Sequence, residues 1–255
     1  MNDLVSSRRV AATSWIGIGA IAAMIVAIGA LGAVGSISAP ARLAKMPAAA
    51  ANAALFADKG KLKISVNGQL AATEEFEIHP NGEHWIAQST VELKPAQGPA
   101  SHVHAHLTLQ PDGTPIAYTW STDGAKKASA NIQFQNSIAT IVLQLENAKP
   151  FTQQFTFTSP QIAVLDNNVY QQYGVLADLY DRAKKGVQTF SVLVPQEMIP
   201  GTVTVESMGS STVAGSESEQ LRVKTADLEL DVYVDAKGRL MRIVVPSANA
   251  EITRE

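Results

Sequence analysis

From Lys61 onward the chain alternates polar and apolar side chains, with turn residues between the runs. Successive side chains of a strand point to opposite faces, so this pattern demands strands with one buried face and one wet face. Leu62, Ile64 and Val66 alternate with Lys61, Lys63 and Ser65. Phe76 and Ile78 lead into Pro80-Asn81-Gly82-Glu83, and Asn-Gly is a strong hairpin signal. Trp85, Ala87, Ser89, Val91 and Leu93 return on the same face, and Val103, Ala105, Leu107 and Leu109 follow. After the Pro111-Asp112-Gly113 turn come Ile116, Tyr118 and Trp120, then Asp123-Gly124. Ile132 and Phe134, then Ile141, Leu143 and Leu145, then Phe151, Phe155 and Phe157 continue the series. The pattern predicts a mainly β fold, a long antiparallel meander. A strongly twisted sheet of about ten or more strands curls, so the meander is expected to roll into a half-barrel.

Two stretches refine this picture. With Asp235-Ala236-Lys237-Gly238 as a turn, the last hairpin sets Val234 against Arg239, Val232 against Met241, Leu230 against Ile243 and Leu228 against Val245. Its polar face then pairs Asp231 with Arg242. The Ser-rich run from Ser207 to Ser218 reads as a flexible loop between strands.

One covering helix is predicted over 168–185. Asp166-Asn167-Asn168 supplies capping side chains, and Gly186 suits a left-handed closing position. Val169, Tyr173, Leu176, Tyr180 and Ala183 recur at three-to-four spacing, while Gln171, Gln172, Asp178, Asp181, Lys184 and Lys185 fill the other side. Such a stripe is expected to lie against the concave face of the sheet.

Ahead of the β region, Trp15 to Ile37 carry no charge, and Arg8 and Arg9 precede them. As a helix this segment reaches roughly 34 Å, enough to cross a hydrocarbon core of about 30 Å. The arginines favour the cytoplasmic side. The expected organisation is a cytoplasmic segment 1–14, a transmembrane anchor or uncleaved signal 15–37, an Ala-rich tether 38–60, and an extracytoplasmic β domain 61–255. A cleaved signal peptide is the alternative, and it too leaves the β domain outside the cytoplasm. The localisation expected is therefore the inner membrane, single-pass, with the C-terminal domain in the periplasm. The chain has no cysteine, which excludes a lipobox anchor and a disulfide framework. Residues 1–54 carry a net +3 and the remainder −6, a balance that argues against nucleic acid as a partner.

A rolled antiparallel sheet covered by helix, closed by the hairpin stretch Leu221 to Pro246 with its Asp235-Ala236-Lys237-Gly238-Arg239 tip, resembles the periplasmic lipoprotein carriers of the Lol system (LolA and LolB) and related envelope domains of unknown function. The resemblance implies a cradle for a lipid or an acylated partner. Unlike the cysteine-anchored carrier, this chain has no Cys and an apolar N-terminal segment instead.

Two sets of residues carry chemistry. The aromatics Trp85, Trp120, Phe134, Phe155 and Phe157 fall on the apolar side of their strands, and Tyr170, Tyr173, Leu176 and Tyr180 fall on the helix. Together they are candidates for lining an apolar ligand hollow, with tyrosine hydroxyls at its rim; ordinary core packing is the competing reading. His102, His104 and His106 project from one face of a strand, where Glu92 of the neighbouring strand adds a carboxylate, a candidate metal set. The same polar face holds Thr108, Gln110, Glu75 and Glu77, so a solvated exterior is the competing reading. No Gly-x-Ser-x-Gly elbow and no phosphate-binding loop occurs. The expected function is non-catalytic binding of an apolar ligand without a cofactor. An accessory role beside an envelope protein partner and a histidine-based metal enzyme are the alternatives. The binding reading requires an apolar cavity of several hundred Å³ beneath the helix.

Overall fold

The computed structural model describes residues 55–95, 100–124 and 127–255, and the expected cytoplasmic segment, anchor and most of the tether lie outside the described residues. Among the described residues no helix is long and apolar enough to cross a membrane.

The alternating runs form strands. The first eight are β1 (Asp58–Val66), β2 (Gln69–Asn81), β3 (His84–Leu93), β4 (Ser101–Leu109), β5 (Pro115–Asp123), β6 (Ala128–Gln135), β7 (Ile138–Leu145) and β8 (Phe151–Thr156). A short strand β9 (Ile162–Val164) precedes the helix α1 (Gln171–Leu179). Then come β10 (Gln188–Val194), β11 (Ile199–Val213), β12 (Ser216–Lys224), β13 (Glu229–Asp235), β14 (Leu240–Val245) and β15 (Ala250–Arg254).

All fifteen belong to one sheet, ordered β8-β7-β6-β5-β4-β3-β2-β1-β15-β14-β13-β12-β11-β10-β9. The chain walks outward from β1 to one edge, crosses to the opposite edge, and walks back until β15 pairs with β1. Fifteen strands about 4.8 Å apart would span roughly 67 Å if flat. Yet only residues 157–161 join the two edge strands, which limits the gap between them to about 22 Å of extended chain. The sheet must therefore roll, as the meander pattern predicts. It stops short of closing, because β8 and β9 are not paired with each other.

Every neighbouring pair is antiparallel except β9 and β10. That parallel pair is joined through α1, the crossover a parallel connection needs. The period-two pattern puts Leu62, Ile64, Phe76, Ala87, Val91, Leu107, Tyr118, Ile132 and Ile141 on the inner side, where all are buried.

Four local expectations are corrected. The helix runs over Gln171–Leu179 rather than 168–185, and Asp181 to Lys185 form turns beyond it. Its polar side is not solvated: all nine residues are buried, Gln171, Gln172 and Asp178 included, because the rolled sheet surrounds the helix. The Ser-rich stretch 207–218 is not a loop but the outer half of the β11–β12 hairpin, turning at Ala214 and Gly215, both with positive φ. Paired positive-φ residues match the right-handed twist of the flanking strands, and exposed Ser and Thr are acceptable on a wet face.

The fourth concerns the last hairpin, which is shifted. Val232 faces Ile243, Asp231 faces Val244, and Tyr233 rather than Asp231 faces Arg242. The first part of the shift arises at Asp235. Its carboxylate accepts the backbone N–H groups of Lys237 and Arg239, at 2.9 and 3.0 Å, while Gly238 takes φ +78°. This three-residue loop with a left-handed glycine shifts the register by one residue, and an irregularity between Tyr233 and Val234, where Met241 is the extra residue, shifts it by a second. Asp231 bonds instead to Arg222 of β12 at 3.0 Å, and Arg242 pairs with Glu251 of β15 at 2.6 Å.

Candidate functional site

The inner face holds the expected aromatics. Trp120 is buried, and Trp85, Phe134, Phe155 and Phe157 are half-buried against the same core. Tyr170, Tyr173, Leu176 and Tyr180 are buried with them. The pocket bounded by Tyr173, Leu165, Val192, Val203 and Leu230 is apolar and measures only about 10 Å³, room for about one water molecule. The aromatics around the helix belong to the common core, and this space is far from the several hundred Å³ that an enclosed hollow requires.

Three buried carboxyl groups anchor the helix region, and the sequence reading named none of them as a site. Glu74 of β2, fully buried, accepts the N–H of Tyr170 at 2.8 Å and the N–H of Gln171 at 3.3 Å. It thus caps α1 in place of Asp166-Asn167-Asn168, since the helix has no cap from its own flanking side chains. Burial pushes its carboxyl up to about 7, against the lowering effect of those backbone donors. Asp166 accepts the Tyr118 hydroxyl at 2.7 Å and the N–H of Gln196 at 2.9 Å, and burial raises it to about 6. Asp178, near the far end of α1, accepts the N–H of Phe56 at 3.1 Å and is raised by burial to about 7. Glu74 was visible in the pattern, because Ala72, Glu74 and Phe76 share one parity; its helical partner was not.

Among the described residues the inner face is exposed at the end of β7 and the start of β8. Where β7 ends and β8 begins, Leu145 is 46 % exposed and Phe151 50 % exposed, with Leu143 and Ala128 half-buried beside them. Register places Phe151 opposite Leu143, and Leu145 opposite Ala128, so all four belong to the inner face. The helix packs on β3, β9, β13 and β14 and does not extend over this end. Strand β8 is also an edge of the sheet, with one side of its backbone unpaired.

The histidines sit on the outer face. Glu92 is opposite His102, Thr90 opposite His104 and Gln88 opposite His106. His102 bonds to Asp123 at 3.0 Å, His104 to Thr90 at 3.2 Å, and Glu92 lies 3.8 Å from Lys94. His102, His104 and Glu92 are thus engaged with different neighbours, and among the described residues no set of three His, Cys, Asp or Glu side chains converges on one point.

These features define a class: an open, β-barrel-like sheet with its helix enclosed and an uncovered apolar margin at one edge. The chain is similar in fold to the β-barrel-like protein of the domain of unknown function DUF1849 from Brucella abortus, with a TM-score of 0.53 and 8 % identity over 79 % of this chain and 96 % of that one. A DUF1089 family protein from Pseudomonas aeruginosa aligns with a TM-score of 0.47 and 8 % identity over 84 % and 98 % of the two chains. No family model and no curated protein matches. The first likeness supports the β-barrel-like fold; neither links the chain to the Lol carriers.

Proposed function

We propose that the protein is a non-catalytic binding module of the cell envelope, held in the inner membrane by its N-terminal apolar segment, with the β domain on the periplasmic side. It takes an apolar group, an acyl chain of a lipid or of a lipid-modified partner, on the open end of its inner face. The observation that carries this reading is the exposure of Leu145 and Phe151 beside Leu143 and Ala128, at the edge where the helix leaves the sheet uncovered. Contiguous exposed apolar patches mark binding surfaces, and these side chains share one face at a sheet edge. A β domain tethered to the inner membrane would meet such a ligand at the membrane surface.

The test uses the full chain in its own membranes. A photoactivatable fatty acid should label peptides of β7 and β8, and L145E with F151E should reduce labelling by about tenfold or more, since each side chain contributes roughly 1.5–3 kcal/mol when covered. Labelling that is unchanged in the double variant sinks the reading. Protease digestion of spheroplasts should degrade the β domain if it is periplasmic.

The same edge favours a second reading, an accessory module that adds β8 to a partner's sheet. A constant protein crosslinked through β8, in cells where no fatty acid labels the chain, would select that reading.

A further inference from the structure

We propose that the outer face carries a separate site for an uncharged polysaccharide chain, lying across the strands rather than along them. A shallow trough of about 850 Å³ runs over the outer side of β2 to β7. Its walls are two register ladders. One is the row Glu77, Gln88, His106, Thr119, Asn131 and Val142; the other is Glu75, Thr90, His104, Ser121, Ser129 and Gln144. The rows stand two residues apart along each strand, about 6.6 Å, and cross six strands, about 24 Å. The floor is backbone, at the positions whose side chains turn inward, such as Ser89, Ala105 and Ala130.

The chemistry of the walls selects the occupant. The charges sit at the β2 end, and there Glu77 is paired with Lys59 at 3.7 Å and Glu75 with Lys61 at 3.2 Å. From β3 to β7 the walls are hydroxyl, amide and imidazole groups, with Val142 at the far end. Nucleic acid or an anionic lipid headgroup would need unpaired cations along the trough, and a basic peptide would need unpaired carboxylates. Neither kind of charge lines it. A neutral sugar chain presents hydroxyl groups that both donate and accept, which matches side chains that do the same. The rise of an extended β-linked sugar is also close to the strand spacing; neighbouring sugars face opposite ways, so alternate sugars can present the same edge to every second strand. Thr90 engages His104 at 3.2 Å and fixes that ring on the wall.

This site is on the opposite side of the sheet from Leu145 and Phe151, so the two proposals fail or stand separately. The experiment measures fluorescence anisotropy of end-labelled chitohexaose and cellohexaose added to the full chain. At least one should bind saturably, with the corresponding disaccharide at least tenfold weaker. His106→Ala with Asn131→Ala should weaken the hexasaccharide about tenfold, while L145E with F151E leaves its binding unchanged. The proposal is overturned if neither hexasaccharide binds, if the disaccharide binds equally well, if the trough variant binds like the parent chain, or if chitosan or polygalacturonate oligomers of equal length bind more tightly.

Discussion

Glu74 reaches from β2 into the interior and points its carboxyl at the first N–H groups of α1, ninety-six residues away in sequence. The donors favour its charge, but burial wins and holds the group at about 7. In the unfolded chain the same carboxyl ionises near its ordinary value of about 4.3. Between those values the folded protein keeps a proton that the unfolded chain has lost, so stability is full below the lower value and declines as pH rises through the upper one. Asp166, raised to about 6, and Asp178, raised to about 7, act in the same direction. Asp123, Asp235 and Glu255 are held below the carboxylate range and work in the opposite sense, but only at more acid pH. The thermal midpoint should therefore be a few degrees higher at pH 5 than at pH 8. Glu74→Gln should raise the midpoint at pH 8 and leave it nearly unchanged at pH 5, because a neutral amide still accepts from the helix. A midpoint that rises from pH 5 to pH 8 in the parent chain contradicts the assignment.

Two turns show how an element's ends set its register and its cost. Gly215 and Gly238 have nearly the same left-handed backbone, φ +81° and +78°. A Cβ on Gly215 would stand in open space, whereas one on Gly238 would lie 2.5 Å from the ring of Phe56. Gly215→Ala should cost about 1 kcal/mol for the backbone alone, and Gly238→Ala an additional 1–3 kcal/mol, roughly, for overpacking. Urea midpoints of the two variants measure the difference, and equal losses would remove Phe56 from the explanation. The hairpin at Gly238 also marks where local reading stops. Val234, Val232 and Leu230 share a face as their alternation requires, but their partners are shifted by the loop that Asp235 closes and again by the irregularity between Tyr233 and Val234. The helix gives the same lesson. Tyr173 and Leu176 are buried as their spacing predicts, yet Gln172 on the other side is buried too, with its Oε1 accepting the N–H of Asp166 at 2.6 Å. A 3.6-residue stripe identifies one packed face; it carries no information about a sheet that wraps behind.

Across the whole molecule the strand faces and the rolling of the sheet were legible, because alternation and chain length dictate them. The seam was not. β1 and β15 lie at the two ends of the described chain, and their pairing joins the first eight strands to the last seven in the middle of the sheet. Other antiparallel neighbours are consecutive in sequence, so no local signal distinguishes the strand that must find a partner nearly two hundred residues away. The seam is marked by Arg254, whose guanidinium holds both oxygens of Asp58, at 2.7 and 2.9 Å, and also donates to the carbonyls of Leu240 and Lys59. Both side chains are nearly buried, and the guanidinium stands 5.5 Å from the centre of the Phe76 ring. Removing one partner leaves the other charged and unpaired in that setting, so Asp58→Ala or Arg254→Ala should each cost roughly 3–5 kcal/mol. Arg254→Lys should recover only part of the loss, since an ammonium cannot serve two oxygens and two carbonyls from one planar fork. The double variant D58A/R254A should be less destabilised than the sum of the singles, and a denaturation cycle on the four proteins reads the coupling directly. Additive losses would show that the pair sits at the seam without holding it.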